Sequence, residues 1–411
     1  MRKSGLWYVF FLMALLLCAE CLISMAYADN LTPLLLKQRL ADNPTGAAAE
    51  QLAEQVRNWF GSTEIKDGAP PRVEGLTTAW AIEAADATVP PKVVSDNGRY
   101  TIPLQRIGQT PIYAAVVDLP NGAGMIWTYE VNGQRKRSGN LEVYTKEPET
   151  NYDPHVAHGK LIQMPEWHSS IFAGTVRNWW IYVPAEYTPE HPACVMVFQD
   201  GGYYKNFVPN VFDNLIAKRE MPITVGIFVD PGHFPDNHIS AGEERSFEYD
   251  TLSDQYTRFL LEEIFPAVEK VVRLREDAAS RAIAGISSGG ICAFTVAWNR
   301  PDQFSKVMSW VGSFTDLAAG KTLVEGGHNY PFLIRRLPKK PIRVFLQDGS
   351  HDLDNIAGNW PLCNQQMAKA LAFKGYDYEF VFGEGFHSGA QGEAILPSTL
   401  RWLWRDVPID P

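Results

Sequence analysis

The strongest constraint on this chain's fold is an alternation that fills its C-terminal part. The runs "VRNWWIYVPAEY", "ACVMVFQDGG", "ITVGIFVDPG", "SRAIAGISS", "KVMSWVGSF", "IRVFLQDGS" and "YDYEFVFGEG" are short, apolar and mostly closed by Gly, Asp or Ser. Between them lie segments with helical spacing, such as "SDQYTRFLLEEIFPAVEKVV", "GGICAFTVAWNR" and "WPLCNQQMAKALAFKG". Strands alternating with helices build a mostly parallel sheet covered by helices on both faces. The polar and glycine residues gather just past the strand ends, where such sheets bind ligands. We assign residues 151–411 to this α/β domain.

Upstream the texture differs. Residues 75–150 carry "TTAWAIEA", "GRYTIPLQ", "IYAAVVDL", "GMIWTYEVNG" and "NLEVY", separated by turns at Asp96-Asn97-Gly98 and Asn132-Gly133. That pattern reads as a small all-β sandwich of immunoglobulin-like size. Residues 29–74 read as one or two short helices followed by a linker, "DGAPPRVEG". Residues 1–28 read as an export signal: Arg2 and Lys3 precede a long apolar run, and Ala26-Tyr27-Ala28 is an A-x-A cleavage site. The rival is an uncleaved anchor helix. Export implies a secreted or periplasmic protein with no membrane association once the signal is removed. The Cys18/Cys21 pair lies inside that signal, so Cys194, Cys292 and Cys363 remain, enough for at most one disulfide. A formal net charge of −10 gives no basic footprint for nucleic acid or anionic lipid.

The chemistry centres on Gly285-Ile286-Ser287-Ser288-Gly289, a G-x-S-x-G turn between a buried strand and a helix, the signature of the α/β-hydrolase fold. Such a turn crowds the residues two before and two after the serine, which favours glycine there. Ser287 has Gly285 and Gly289 in those places, so Ser287 and not Ser288 is the candidate nucleophile. A serine hydroxyl needs a base and an orienting carboxylate. Chain order places the acid after "IRVFLQDG", where Asp352 fits best, Asp354 is the runner-up, and Asp348 reads as a turn residue at the strand end. The base is then His387, in a small-residue loop after the last strand. The oxyanion donors expected are the backbone N–H of Ser288 and that of Gly202 or Tyr203, in the loop after "VMVFQ". His351, beside the acid, and Arg245 are candidate substrate-binding residues, with Lys205 the other cation near the motifs. Arg245 could equally be an ion-pair partner of Glu248. "DGSHDLDN" has oxygen ligands at alternate spacing but lacks the order of a calcium loop. No metal or other cofactor is implied.

Together "GTVRNWWIYVPAEY", "VMVFQDGG", "RSFEYDTLSDQYTRFLLEEIFP", "AGISSGG", "SWVGSF" and "FLQDGSHDLDN" resemble a family of esterases. It includes enterochelin esterases, esterase D, and feruloyl and acetylxylan esterases. The resemblance spans roughly residues 155–411 and, weakly, the preceding sandwich, which resembles the N-terminal domain of enterochelin esterases. It implies serine ester hydrolysis with Ser287, Asp352 and His387 as nucleophile, acid and base. Export and an acidic chain favour acyl or hydroxycinnamoyl esters of polysaccharides over a siderophore ester, whose anionic catecholates call for several basic residues. A reading of a different class is a glycan-binding protein whose hydrolase domain has lost activity.

Overall fold

The computed structural model describes residues 31–317 and 326–409, so the expected export signal lies outside the described residues. The chain forms two compact units. One ends at Leu119 and takes back Ile126–Gly139, and the other holds Pro120–Met125 and Asn140–Pro411.

The first unit carries two four-stranded antiparallel sheets. Thr77–Glu83 is the key strand, buried on both faces because its side chains alternate between two partners. Trp80 points to the second sheet, where it meets Trp127 and Tyr129 edge-on at 5.6 and 6.2 Å. Ala79 and Ala81 point the other way, under the helices Pro33–Ala41 and Gly46–Phe60, with Leu36, Leu40, Leu52, Val56 and Phe60 filling the space above them. Asn132 and Gly133 both take positive φ, 50° and 75°, the twist of a two-residue hairpin turn. The stretch read as a linker is instead integrated. Arg72–Glu74 pairs with Thr77–Ala79 as an edge strand, and the Ala69 carbonyl accepts the buried Tyr129 hydroxyl at 2.9 Å.

The second unit is built on one eight-stranded sheet. In chain order its strands are β1 (Lys160–Gln163), β2 (Trp179–Val183), β3 (Cys194–Gln199), β4 (Thr224–Val229), β5 (Arg281–Ile286), β6 (Lys306–Trp310), β7 (Arg343–Gly349) and β8 (Asp377–Gly383). Across the sheet they lie in the order 8-7-6-5-3-4-2-1. Strands β3 to β8 are parallel, and near one edge β2 runs antiparallel to both of its neighbours, β4 and β1. Period two sends Val195 and Val197 of β3 to one face and Met196 and Phe198 to the other. The first face is covered by the helices Ser288–Asn299 and Trp360–Lys374, the second by Val208–Ala217 and Leu396–Trp404. Each fully buried aliphatic or aromatic side chain in these layers contributes about 1.5–3 kcal/mol. The chain reverses direction across the sheet between β5 and β3, so the loops after these two strands diverge and leave a crevice at their C-terminal ends.

Helix periodicity picked out the long helices. Val208–Ala217, Ala241–Asp250 and Tyr330–Arg336 were not among the segments picked out, and the run Gln255–Val268 is interrupted by a π-helical stretch at Phe259–Ile264. Cys194, Cys292 and Cys363 are all free, so no disulfide forms among them. Among the described residues no helix is long and apolar enough to cross a membrane, and no group of three or more His, Cys, Asp or Glu side chains converges as a metal site would require.

Candidate active site

The turn after β5 is as tight as its sequence demands. Ser287 takes φ 58° and ψ −122°, a conformation that costs a non-glycine residue of order 1–3 kcal/mol. A Cβ on Gly285 would sit 2.1 Å from the Gly289 carbonyl oxygen, which explains that glycine directly. The strain is held by the end of β6. The Ser287 N–H donates to the Trp310 carbonyl at 2.9 Å, and the Ser287 carbonyl accepts from Ser313 N–H at 3.1 Å. Val311, between those partners, is itself at φ 42°, a true outlier for a β-branched residue.

On this turn the Ser287 hydroxyl lies 2.8 Å from His387 Nε2, and His387 Nδ1 lies 2.6 Å from Asp352 Oδ1. A carboxylate only accepts, so Nδ1 carries the ring proton and Nε2 is left as the acceptor for the serine hydroxyl. The Asp352 side chain is fully buried. Its Oδ1 also accepts the Leu353 N–H at 2.6 Å. Asp354 is exposed, pairs with Asn359 in a small hairpin, and does not take the place of Asp352. Residues brought together from the ends of β5, β7 and β8 thus form one continuous hydrogen-bonded chain.

Several supports were not visible in sequence. Ser313 Oγ sits 3.2 Å from Ser287 Oγ and accepts from Trp360 Nε1 at 3.2 Å, while the Trp360 ring stands edge-on to His387 at 5.7 Å. Glu142 grips the loop that carries His387 on both sides. It accepts the Phe386 N–H at 3.3 Å and the Ser388 hydroxyl at 2.5 Å, and the Tyr144 hydroxyl at 3.0 Å. A lone glutamate nearly 250 residues from its partners leaves no local pattern to read. Beneath the turn, Ser288 Oγ donates to Asp250 Oδ2 at 3.1 Å and Ser246 Oγ to the same oxygen at 2.7 Å. Burial pushes the Asp250 carboxyl up to about 6, against the pull of these two hydroxyls.

Four sequence expectations need correction. Tyr203 cannot supply its N–H to an oxyanion. Gly201–Tyr204 forms one helical turn, and that N–H is closed onto the Asp200 carbonyl at 2.9 Å. The Gly202 N–H is also taken, by Asp230 Oδ1 at 2.7 Å. Arg245 does not pair with Glu248. It makes two hydrogen bonds to Asp200, at 2.7 and 2.8 Å, and reaches toward the Ile286 carbonyl, tying the loop after β3 to the serine turn. Glu248 belongs instead to Arg177, with two contacts of 2.7 Å between fully buried side chains. His351 is likewise part of the scaffold. Its N–H bonds the Gly385 carbonyl, Nδ1 lies 2.7 Å from the Glu384 carbonyl, and its ring stacks on Phe386, joining the acid loop to the base loop. Finally, Asp348 does sit at the strand end, but as a fully buried member of β7 and not in a turn.

A model of the family described as "Putative esterase" matches residues 170–389. This chain belongs to that family. Membership carries the coarse activity, carboxylic-ester hydrolysis. The esterase is also similar in structure to an enterobactin esterase from Shigella flexneri (TM-score 0.55, 16% identity, covering 85% of this chain and 99% of that one). The ferric enterobactin esterase of Salmonella typhimurium gives a TM-score of 0.56 at 17% identity, over 83% of this chain and 97% of that one. A ferulic acid esterase from the anaerobic fungus Anaeromyces mucronatus matches over 63% of this chain and 94% of that one, with a TM-score of 0.50 and 15% identity. At these identities the likeness of the esterase to each of them is one of fold.

Proposed function

We propose that this chain is an exported serine esterase that works through an acyl-enzyme. The observation that carries the reading is the unbroken path from Ser287 Oγ through His387 to the buried Asp352 carboxylate, on a turn strained to present that hydroxyl. In this scheme His387 Nε2 takes the Ser287 proton as Oγ attacks the ester carbonyl. Asp352 steadies the imidazolium that forms, and His387 then protonates the leaving alcohol. Water repeats the sequence to release the acid. Acid–base catalysis of this kind supplies about 10²–10⁴-fold in rate.

The tetrahedral oxyanion needs donors, each worth about 10²–10³-fold in kcat. Ser288 N–H opens a helix and has no acceptor within it. The second donor in this reading is Gly202 N–H, with the substrate oxyanion displacing Asp230 Oδ1. Burial holds the Asp230 carboxyl above its usual range, against the pull of the Gly202 N–H.

For substrate we favour acyl or hydroxycinnamoyl esters of polysaccharides. The two cations near the motifs are both engaged, Arg245 by Asp200 and Lys205 over the Trp180 ring at 4.9 Å, so neither is presented for an anionic catecholate. A siderophore ester is the second reading, favoured by the extent of the enterobactin esterase likeness over both units.

The test combines labelling with a substrate panel. A fluorophosphonate should modify Ser287 in the folded wild type, and Ser287→Ala should lose both label and turnover. Methyl ferulate, acetylated xylan, p-nitrophenyl acetate and a catecholate siderophore then separate the substrate readings. No adduct on Ser287, with turnover intact in Ser287→Ala, would remove the serine mechanism. Glycan affinity without turnover on any ester would favour a binding protein instead.

A further inference from the structure

Asp348 is a buried ionisable group next to the triad acid with no part in the scheme above. Its carboxyl is completely buried at the end of β7, beside Phe382 of β8 in register. One oxygen, Oδ1, accepts the Gly349 N–H at 2.8 Å. The other, Oδ2, meets no conventional donor, and the same is true of Asp352 Oδ2, on the triad acid itself. Both residues stand at one turn at the end of β7, closed by the Asp352 N–H on the Gly349 carbonyl at 3.2 Å, and each carboxyl acts on the other there. Two ionised carboxylates offer four acceptors and no proton, so a hydrogen bond between them is possible only if one is protonated. Asn364, on the helix Trp360–Lys374, lies alongside but turns its amide hydrogens to the Gly312 and Trp360 carbonyls at 2.9 and 3.2 Å. Cys363 on the same helix is the other titratable neighbour.

Resting on the triad reading, we propose that Asp348 is a positioning residue: a neutral carboxylic acid whose O–H donates to Asp352 Oδ2 and so aims Asp352 Oδ1 at His387. The assignment of the proton follows from what each carboxyl already holds. Asp352 Oδ1 already accepts from both His387 Nδ1 and Leu353 N–H, whereas Asp348 accepts the Gly349 N–H and has the Asn364 side chain beside it, so the proton is placed on Asp348. Burial, followed by the Asp352 charge, pushes the Asp348 carboxyl up to about 9. The pair therefore carries one negative charge at neutral pH and would carry two only in alkali, where repulsion would swing Asp352 off the imidazole. In this arrangement the catalytic chain has four members, and the fourth is read only through its proton.

The experiment measures kcat and KM for p-nitrophenyl acetate from pH 6 to 10 in wild type, Asp348→Asn, Asp348→Leu and Asp352→Asn, with circular dichroism to confirm folding. An asparagine amide replaces the O–H donor but cannot ionise. Asp348→Asn should keep kcat within about threefold at pH 7.5, whereas Asp348→Leu, which fills the space without donating, should lose about 10–100-fold in kcat with little change in KM. Wild-type kcat/KM should fall on the alkaline side with an apparent pKa near 9. Asp348→Asn should lack that limb. An Asp348→Asn enzyme with the same alkaline limb as wild type, or one no better than Asp348→Leu, overturns the proposal while leaving the triad intact. Should Asp348→Leu fail to fold, the comparison of pH limbs between wild type and Asp348→Asn decides alone. Full activity in Asp352→Asn would remove the triad reading and this proposal with it.

Discussion

Gly285→Ala tests the claim that the serine turn is built around an absent side chain. Gly285 needs no unusual φ, so alanine is acceptable to the backbone itself. The obstacle is space. The new Cβ would lie 2.1 Å from the Gly289 carbonyl oxygen, 2.2 Å from its carbonyl carbon and 2.8 Å from its Cα, all main-chain atoms that cannot rotate away. Restoring a tolerable carbon–oxygen contact means opening the turn by about 1 Å. That opening falls between the strand that ends at Ile286 and the helix that starts at Ser288, so it moves Ser287 Oγ away from its 2.8 Å contact with His387. A displacement of that size costs about 100-fold in kcat, and the overpacking about 1–3 kcal/mol of stability. At roughly 2–4 °C per kcal/mol for a unit of this size, Tm should drop by about 2–12 °C. Gly289→Ala is the internal control. Its nearest obstacle, Asp200 Oδ2 at 2.8 Å, is the end of a side chain that can turn at the expense of one Arg245 contact, so the loss in kcat should stay within about tenfold. Both variants would be assayed on p-nitrophenyl acetate and by thermal melting. A Gly285→Ala enzyme with kcat within threefold of wild type, or one no worse than Gly289→Ala, would mean the turn is not held by this contact.

Three further expectations follow from ionisable groups that hold the scaffold. Arg177→Met strands Glu248 without its cation in a fully buried setting and should cost about 3–5 kcal/mol in urea unfolding. Arg177→Met with Glu248→Leu should recover part of that, and a double variant weaker than the single one would contradict the account. Glu142→Ala should loosen the loop holding His387 and lower kcat about 10–100-fold with a smaller change in KM; an unchanged kcat would show that the loop is held elsewhere. For Asp250, the folded-state value of about 6 lies above the ~3.9 of an unfolded aspartate. Between pH 4 and 6 the folded protein keeps a proton that the unfolded chain has released, so stability falls as pH rises through that window. The penalty, up to about 3 kcal/mol, is complete above pH 6. Asp250→Asn should therefore raise Tm at pH 7.5 and leave it unchanged at pH 4, and an equal gain at both would point to packing and not to charge.

What the sequence disclosed and what it hid divide along one physical line. Strand identity, the serine turn and the order of Ser287, Asp352 and His387 were legible because each rests on local rules: side chains alternating at period two, glycines forced by crowding, loops set by strand ends. Partner choice was not legible. Arg245 and Glu248 are three residues apart on one helix, a spacing that invites pairing, yet each is claimed by a residue far away in sequence, Asp200 and Arg177. The oxyanion loop shows the same limit. The glycines after β3 were correctly placed near the turn, but which N–H stays open depends on Asp230, delivered by β4. Asp348 goes furthest in this direction. Its position before Gly349 looks like an ordinary turn, and only the closure of the sheet and the helix Trp360–Lys374 over it turns a water-loving side chain into one that must keep its proton. The buried charges were misread for a common reason: an ionisable group takes its role from the dielectric and the partners that tertiary packing gives it, and neither leaves a mark at short range along the chain.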